Sequence, residues 1–139
     1  MTNKEYFRQA VWLDRKIDSY IREAERLREM MTGISSPRLG DKVQASRPHE
    51  ARFVGGIEKL LALEEKINSE IDALVALKEE MRGVIDVLPT YEEQAVLRCR
   101  YLCNMKWEDV AAELDANPRT VRRWHDAALA HAVQPERSS

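Results

Sequence analysis

Two cysteines, five glycines and five prolines are all that 139 residues offer of the types that build disulfide frameworks and tight turns. Cys99 and Cys103 are too few for a disulfide scaffold and read as packing thiols. The scarcity of glycine and proline leaves few turn signals for a many-stranded fold. No stretch approaches the roughly 20 apolar residues of a transmembrane helix, and the N-terminal residues lack the apolar centre of a signal peptide, so a cytoplasmic, non-membrane protein is expected. A glycine-rich phosphate loop, a G-x-S-x-G elbow and a metal-binding carboxylate cluster are all missing, so neither an enzyme nor a cofactor is expected. No sign of charge dominates either, with 22 basic against 24 acidic side chains and a net charge of −2. What is abundant is Ala, Leu, Glu, Arg and Lys, the composition of long helices, and it predicts an all-α fold.

Thr2 and Glu5 have the spacing of a capping box. Behind them apolar residues recur at Tyr6, Ala10, Leu13, Ile17, Tyr20, Ala24, Leu27 and Met31, in steps of four and three. Phe7, Val11 and Ile21 widen the stripe. This predicts one long amphipathic helix, capped near Gly33. An aperiodic stretch follows, and the linker is placed at 32–49. A second long helix is predicted from Pro48 or Glu50, crossing Gly55 and Gly56, with a seam of Leu60, Leu63, Ile67, Leu74, Leu77, Met81, Val84 and Leu88. Glu70 interrupts that seam, and the adjacent Ile71 is expected to take its place. Pro89 forbids continuation. The two seams suit an antiparallel hairpin within one chain, a homodimer between chains, or the core faces of a bundle, and the spacing leaves all three open.

The predicted organisation is therefore a long-helix region over 1–88, a compact helical domain over 89–133, and a tail over 134–139. The compact domain opens on a second capping box, Thr90 and Glu93, followed by Ala95, Val96, Leu97, Tyr101 and Leu102 up to Asn104. A short helix is predicted over 107–114. Asp115, Ala116 and Asn117 form a tight turn, and Pro118 opens the last helix with Asn117 as its N-cap. Two helices joined by so short a turn have the dimensions of a helix-turn-helix, whose second helix enters the DNA major groove. Val110, Ala111, Leu114, Val121, Trp124 and Ala128 would face inward. Arg119, Thr120, Arg122 and Arg123 crowd the first turns of the last helix, where guanidinium forks can meet guanine edges or phosphates. From 117 to 133 the local balance is three Arg against one Asp, whereas 51–83 is acidic, so the basic face is local.

Leu88-Pro89, Glu93, Val96-Leu97, Arg100-Tyr101, Trp107 to Ala111, Leu114, Val121 to Arg123 and Ala128-Leu129 resemble region 4 of bacterial sigma factors. Most of the chain is similar to phage-encoded regulators that join such a domain to an N-terminal helical part, the ArpU-like and RinA-like late-gene activators among them. The resemblance implies a transcriptional regulator with its recognition helix at 118–131. It places Pro118, Arg119 and Arg123 against base edges, and Thr120, Arg122 and Lys106 against phosphates. Lys106 stands where that family usually has a Ser or Thr N-cap, and Asp115 where it usually has Gly. Asp115 tolerates a left-handed backbone better than most residues. Double-stranded DNA is the expected partner, and few phosphate contacts imply help from dimerisation or from RNA polymerase.

Two rival readings share these features. One is a DNA-packaging protein of the small terminase type, which would form rings. The other is a module that engages RNA polymerase without reading DNA, for which Arg119 and Arg123 would be dispensable. Arg38, Lys42 and Arg47 of the linker are weaker candidates for phosphate contacts. Cys99, Cys103, His125 and His131 lack the paired spacing of a zinc site, so buried thiols and surface histidines are expected instead. Trp107 and Trp124 fall on the apolar faces and are expected to pack there rather than stack on bases.

Overall fold

The computed structural model describes residues 1–35 and 46–136. It is all-helical over these residues: α1 (Asn3–Ser35), α2 (Ser46–Asp86), α3 (Tyr91–Leu97), a π-helical turn (Arg98–Leu102), α4 (Trp107–Glu113) and α5 (Pro118–His131). No helix among them is long and apolar enough to cross a membrane. Arg38 and Lys42 lie outside the described residues, as do the side chain of Arg47 and the last three residues of the tail. α1 runs further than expected, and α2 starts earlier but ends at Asp86, two residues short of the expected Leu88. Gly33 does not terminate α1, which continues to Ser35, and α2 starts at Ser46, taking Pro48 into its first turn, where a missing N–H costs no helical hydrogen bond.

The chain divides into two compact units, the first formed by residues 1–14 with 73–139 and the second by 15–72. In the second unit Ile17 and Ala24 of α1 are buried, while Tyr20, Leu27, Met31, Leu60, Leu63 and Ile67 are partly covered, as the seams require. Arg28 donates to Glu64 at 2.9 Å, Lys16 pairs with Glu70 at 3.1 Å, and the Lys66 ammonium lies 5.4 Å from the centre of the Tyr20 ring. Gly56 is buried at a close approach, where an added Cβ would fall 2.9 Å from the Met31 sulfur. Ile71 does not take the seam position: it is exposed, and Glu70 holds its place through Lys16. A carboxylate with a nearby ammonium can stay at a half-covered position, so the seam needed no apolar substitute there.

The first unit is built on α1's opening turns. Thr2 Oγ1 accepts from the Glu5 N–H at 3.1 Å and the Thr2 N–H donates back to Glu5 at 3.3 Å, a full reciprocal cap. Asn3 donates to the carbonyls of Leu129 and Ala132 at 2.7 and 2.8 Å, closing α1 onto the C-terminal end of α5. Tyr6, Phe7, Ala10 and Val11 of α1 are buried, as are Met81, Val84 and Ile85 of α2 and Leu88 just beyond it. The Tyr6 hydroxyl donates to Glu80 at 2.7 Å. A further core cluster joins Val96, Val110, Ala111 and Val121, with Trp124, Leu114, Met105, Cys99 and Ala116 packed around it.

Thr90 caps α3 by accepting from the Glu93 N–H at 3.2 Å, and its hydroxyl donates to the Glu93 carboxylate at 2.8 Å. Glu93 is almost completely buried and also meets His131 Nδ1 at 2.5 Å, tying the start of α3 to the end of α5. Burial pushes its carboxyl upward, but hydrogen bonds from His131 and Thr90 outweigh this and hold it below the ordinary value. Glu93→Ala removes two charge-assisted hydrogen bonds at once, and a loss of about 2–3 kcal/mol is expected in urea unfolding at neutral pH. Glu93→Gln, which can keep one acceptor, should lose less. Equal losses would show that packing volume rather than hydrogen bonding sets the effect.

After Leu97 the α-helical ladder widens. The Cys103 N–H bonds back to the Arg98 carbonyl at 2.9 Å, five residues away, and Asn104 then takes a left-handed φ of 53°. The expected helix up to Asn104 is thus replaced by α3, a π turn ending at Leu102, and a left-handed exit. The widened turn leaves Tyr101 buried, with its ring 5.3 Å from Phe7.

Candidate nucleic-acid interface

The α4 to α5 connection explains how α5 is aimed. Lys106 sits in extended backbone at the N-cap of α4 and offers no capping hydrogen bond, since an ammonium has nothing to accept with. Leu114 ends the helix, and Asp115 follows in the left-handed region with φ of 48°. The Ala116 N–H bonds to the Ala111 carbonyl at 3.0 Å, which satisfies one of the orphan acceptors at the end of α4. Asn117 then adopts extended backbone and accepts the Arg119 N–H on its side chain at 2.8 Å, while Pro118 occupies the first helical position. Asn117 thus caps the helix and Pro118 opens it, and both remain exposed beside the arginines.

Along α5, Val121, His125 and Ala128 are buried and Trp124 is half-buried, so one face of the helix is committed to the core. Arg119, Arg122 and Arg123 are exposed, and Thr120 is half-buried at the edge of that core face. Arg119 and Arg123, four residues apart, form the row furthest from the core. Arg122 lies one row over, beside Pro118. None of the three arginines forms an ion pair among the described residues, so each guanidinium is open to a phosphate or a base edge. Lys106 is exposed eleven residues before Asn117 and belongs to the other helix of the pair.

His125 is not the surface histidine expected from its composition. It is 7% exposed, its Nε2 lies 2.8 Å from the Tyr101 hydroxyl, and its ring stacks on Tyr101 at 5.7 Å. Burial lowers its pKa to about 4; nearby Asp126 opposes the shift, and Lys4 and Arg100 add to it. The signal was available in the spacing, because Val121, His125 and Ala128 follow a helical i, i+4, i+7 pattern. Trp107 is also placed differently from expectation. It is 40% exposed, edge-on to His125 at 4.7 Å, with the Arg100 guanidinium 4.9 Å from its ring centre. His131 is exposed as expected, Cys99 is half-buried, and Cys103 is exposed rather than buried. No group of three or more His, Cys, Asp or Glu is placed to hold a metal among the described residues.

These features define a protein that is all-helical over the described residues and presents on the capped helix α5 a row of arginines without ion pairs among those residues. The chain belongs to the family described as a protein of unknown function (DUF1492), which matches residues 33–132 and so spans α2 to α5. No curated protein and no solved structure matches the chain.

Proposed function

We propose that the protein is a sequence-specific DNA-binding transcriptional regulator in which α4, the turn at 114–117 and α5 act as a helix-turn-helix. The observation that carries this reading is the row of Arg119 and Arg123, exposed and without an ion pair among the described residues, on the first turns of a helix whose opposite face is fixed in the core. Base-reading residues in a helix-turn-helix lie at this end of the second helix. The resemblance to sigma region 4 and to ArpU-like and RinA-like activators supports promoter-proximal DNA of phage or prophage genes as the target. Pro118, Arg119 and Arg123 would face base edges. Arg122, Thr120 and Lys106 would lie against phosphates, and Asn117 and Pro118 would set the helix start. α1 and α2 form an antiparallel hairpin in this reading, supported by the Lys16–Glu70 and Arg28–Glu64 pairs, and the regulator acts by recognition without turnover.

The test is selection from a pool of random and phage-derived duplexes at two salt concentrations. A shared motif recovered at both would support the proposal, whereas unselective binding that vanishes with salt would overturn it. On the selected site, Arg123→Ala is expected to cost about 1–3 kcal/mol and to relax the preference at one base pair, because a bidentate guanine contact is lost. Arg122→Ala should weaken all sequences alike. An Arg123→Ala protein with an unchanged gel-shift titration would remove that residue from the interface.

A further inference from the structure

A cavity of about 580 Å³ opens within the first unit between the N-terminal turns of α1, the π turn and the starts of α4 and α5. Its size falls in the range of small-molecule sites and is several times that of a single oxyanion. Tyr101 and His125 form the buried floor, and Trp107 forms a wall that remains open to solvent. Four cations converge on it from three elements: Lys4 and Arg8 from α1, Arg100 from the π turn and Arg122 from α5. None of the four forms an ion pair among the described residues. Two carboxylates, Glu108 and Asp126, also line it, which leaves a net excess of two positive charges. Positive charge reaches the floor, since Arg100 and Arg8 act on the Tyr101 hydroxyl and Lys4 and Arg100 on the His125 imidazole, while Asp126 acts on that imidazole in the opposite sense.

We infer that this cavity binds a planar aromatic ring bearing a phosphate or carboxylate, the ring against Trp107 and the anion held by Lys4, Arg8 and Arg122. An aromatic wall favours stacking of a flat ring, and converging cations in a concave site concentrate anions. A bare anion would leave the apolar part unfilled, and an uncharged ring would leave the cations unpaired. Arg119 and Arg123 are not part of the lining, and Arg122 is the one lining residue shared with the proposed DNA face, so Lys4, Arg8 and Trp107 are the cavity groups that do not depend on α5 reading DNA.

The two sources of such a ligand are a nucleotide and an aryl carboxylate. The full chain is titrated with 5′-AMP and separately with salicylate, with ribose 5-phosphate and adenosine as the anion without the ring and the ring without the anion. Binding is read by NMR from the Trp107 indole N–H and the His125 imidazole. Saturable shifts confined to these two groups are expected below about 10 mM of at least one probe, together with binding at least roughly tenfold weaker for both fragments. The ligand's negative charge should also move the His125 pKa upward from about 4. Arg8→Gln, an exposed change that leaves the core intact, should weaken binding roughly threefold or more, and Trp107→Leu should abolish the ring's contribution. Saturation by 5′-AMP alone assigns a nucleotide, by salicylate alone an aryl carboxylate, and by both the shared chemistry. No saturation by either probe, or ribose 5-phosphate binding as tightly as 5′-AMP, overturns the inference.

Discussion

Phe7→Ala is expected to destabilise the protein by about 3–5 kcal/mol. Phe7 is fully buried, and its ring stands edge-on to Tyr6 at 5.1 Å and tilted against Tyr101 at 5.3 Å. Tyr101 in turn stacks on His125, so Phe7 links α1 to the π turn and through it to α5, beside the direct bonds that Asn3 makes to the end of α5. Removing the ring loses its transfer free energy and leaves a cavity whose walls are aromatic rings fixed by their own hydrogen bonds, which limits collapse. Phe7→Leu, which keeps most of the volume, should cost under about 1.5 kcal/mol. Urea unfolding followed by far-ultraviolet circular dichroism separates the two. A Phe7→Ala midpoint matching that of a surface substitution such as Glu23→Ala would contradict the packing of α1 against Tyr101.

Acid should weaken the same unit in a defined window. An imidazole in the unfolded chain gains its proton near pH 6.5, whereas His125 in the folded protein does so only near 4. Between these values the unfolded state binds more protons, so stability falls as the pH falls. The loss amounts to about 3 kcal/mol by pH 4, and His125 adds no pH dependence above about 6.5. Glu93 acts in the adjoining range. Its folded carboxyl titrates below the unfolded value of 4.5, so its contribution is present above that value and disappears as the pH falls through the folded one. Unfolding free energies measured from pH 8 to 4 should therefore be flat and then decline. In His125→Leu the slope between 6.5 and 4.5 should be absent, although the Tyr101 hydroxyl then loses its partner and the plateau is lower. A slope that survives this substitution would assign the acid sensitivity to other groups.

The sequence announces its helices more clearly than their ends. The four-and-three seams of α1 and α2 are all at least half-covered, because a long amphipathic stripe can be buried in only one way. Thr2, Thr90 and Asn117 cap as their spacing predicts, and Asp115 takes the left-handed conformation its side chain tolerates. These are local effects, decided within four residues. The π turn at Arg98–Leu102 was not legible, since it arises where Tyr101 packs against Phe7, a residue 94 positions earlier. Ile71 shows the same limit, for a lysine on another helix decides that Glu70 stays in the seam. At the candidate interface the arginine row could be read directly from the i, i+4 spacing of Arg119 and Arg123. The convergence of Lys4, Arg8 and Arg100 near Arg122 could not, because it depends on α1 closing onto α5.

That closure has a consequence during synthesis. The Asn3 side chain bonds to carbonyls 126 and 129 residues later, and Phe7 waits for Tyr101. At roughly 5–20 residues per second, the ribosome releases the first turns of α1 several seconds before it has made what covers them. Over that interval the Tyr6, Phe7, Ala10 and Val11 face lacks its partners in α5 and the π turn, so this face of α1 is open to aggregation or chaperone capture in the nascent chain.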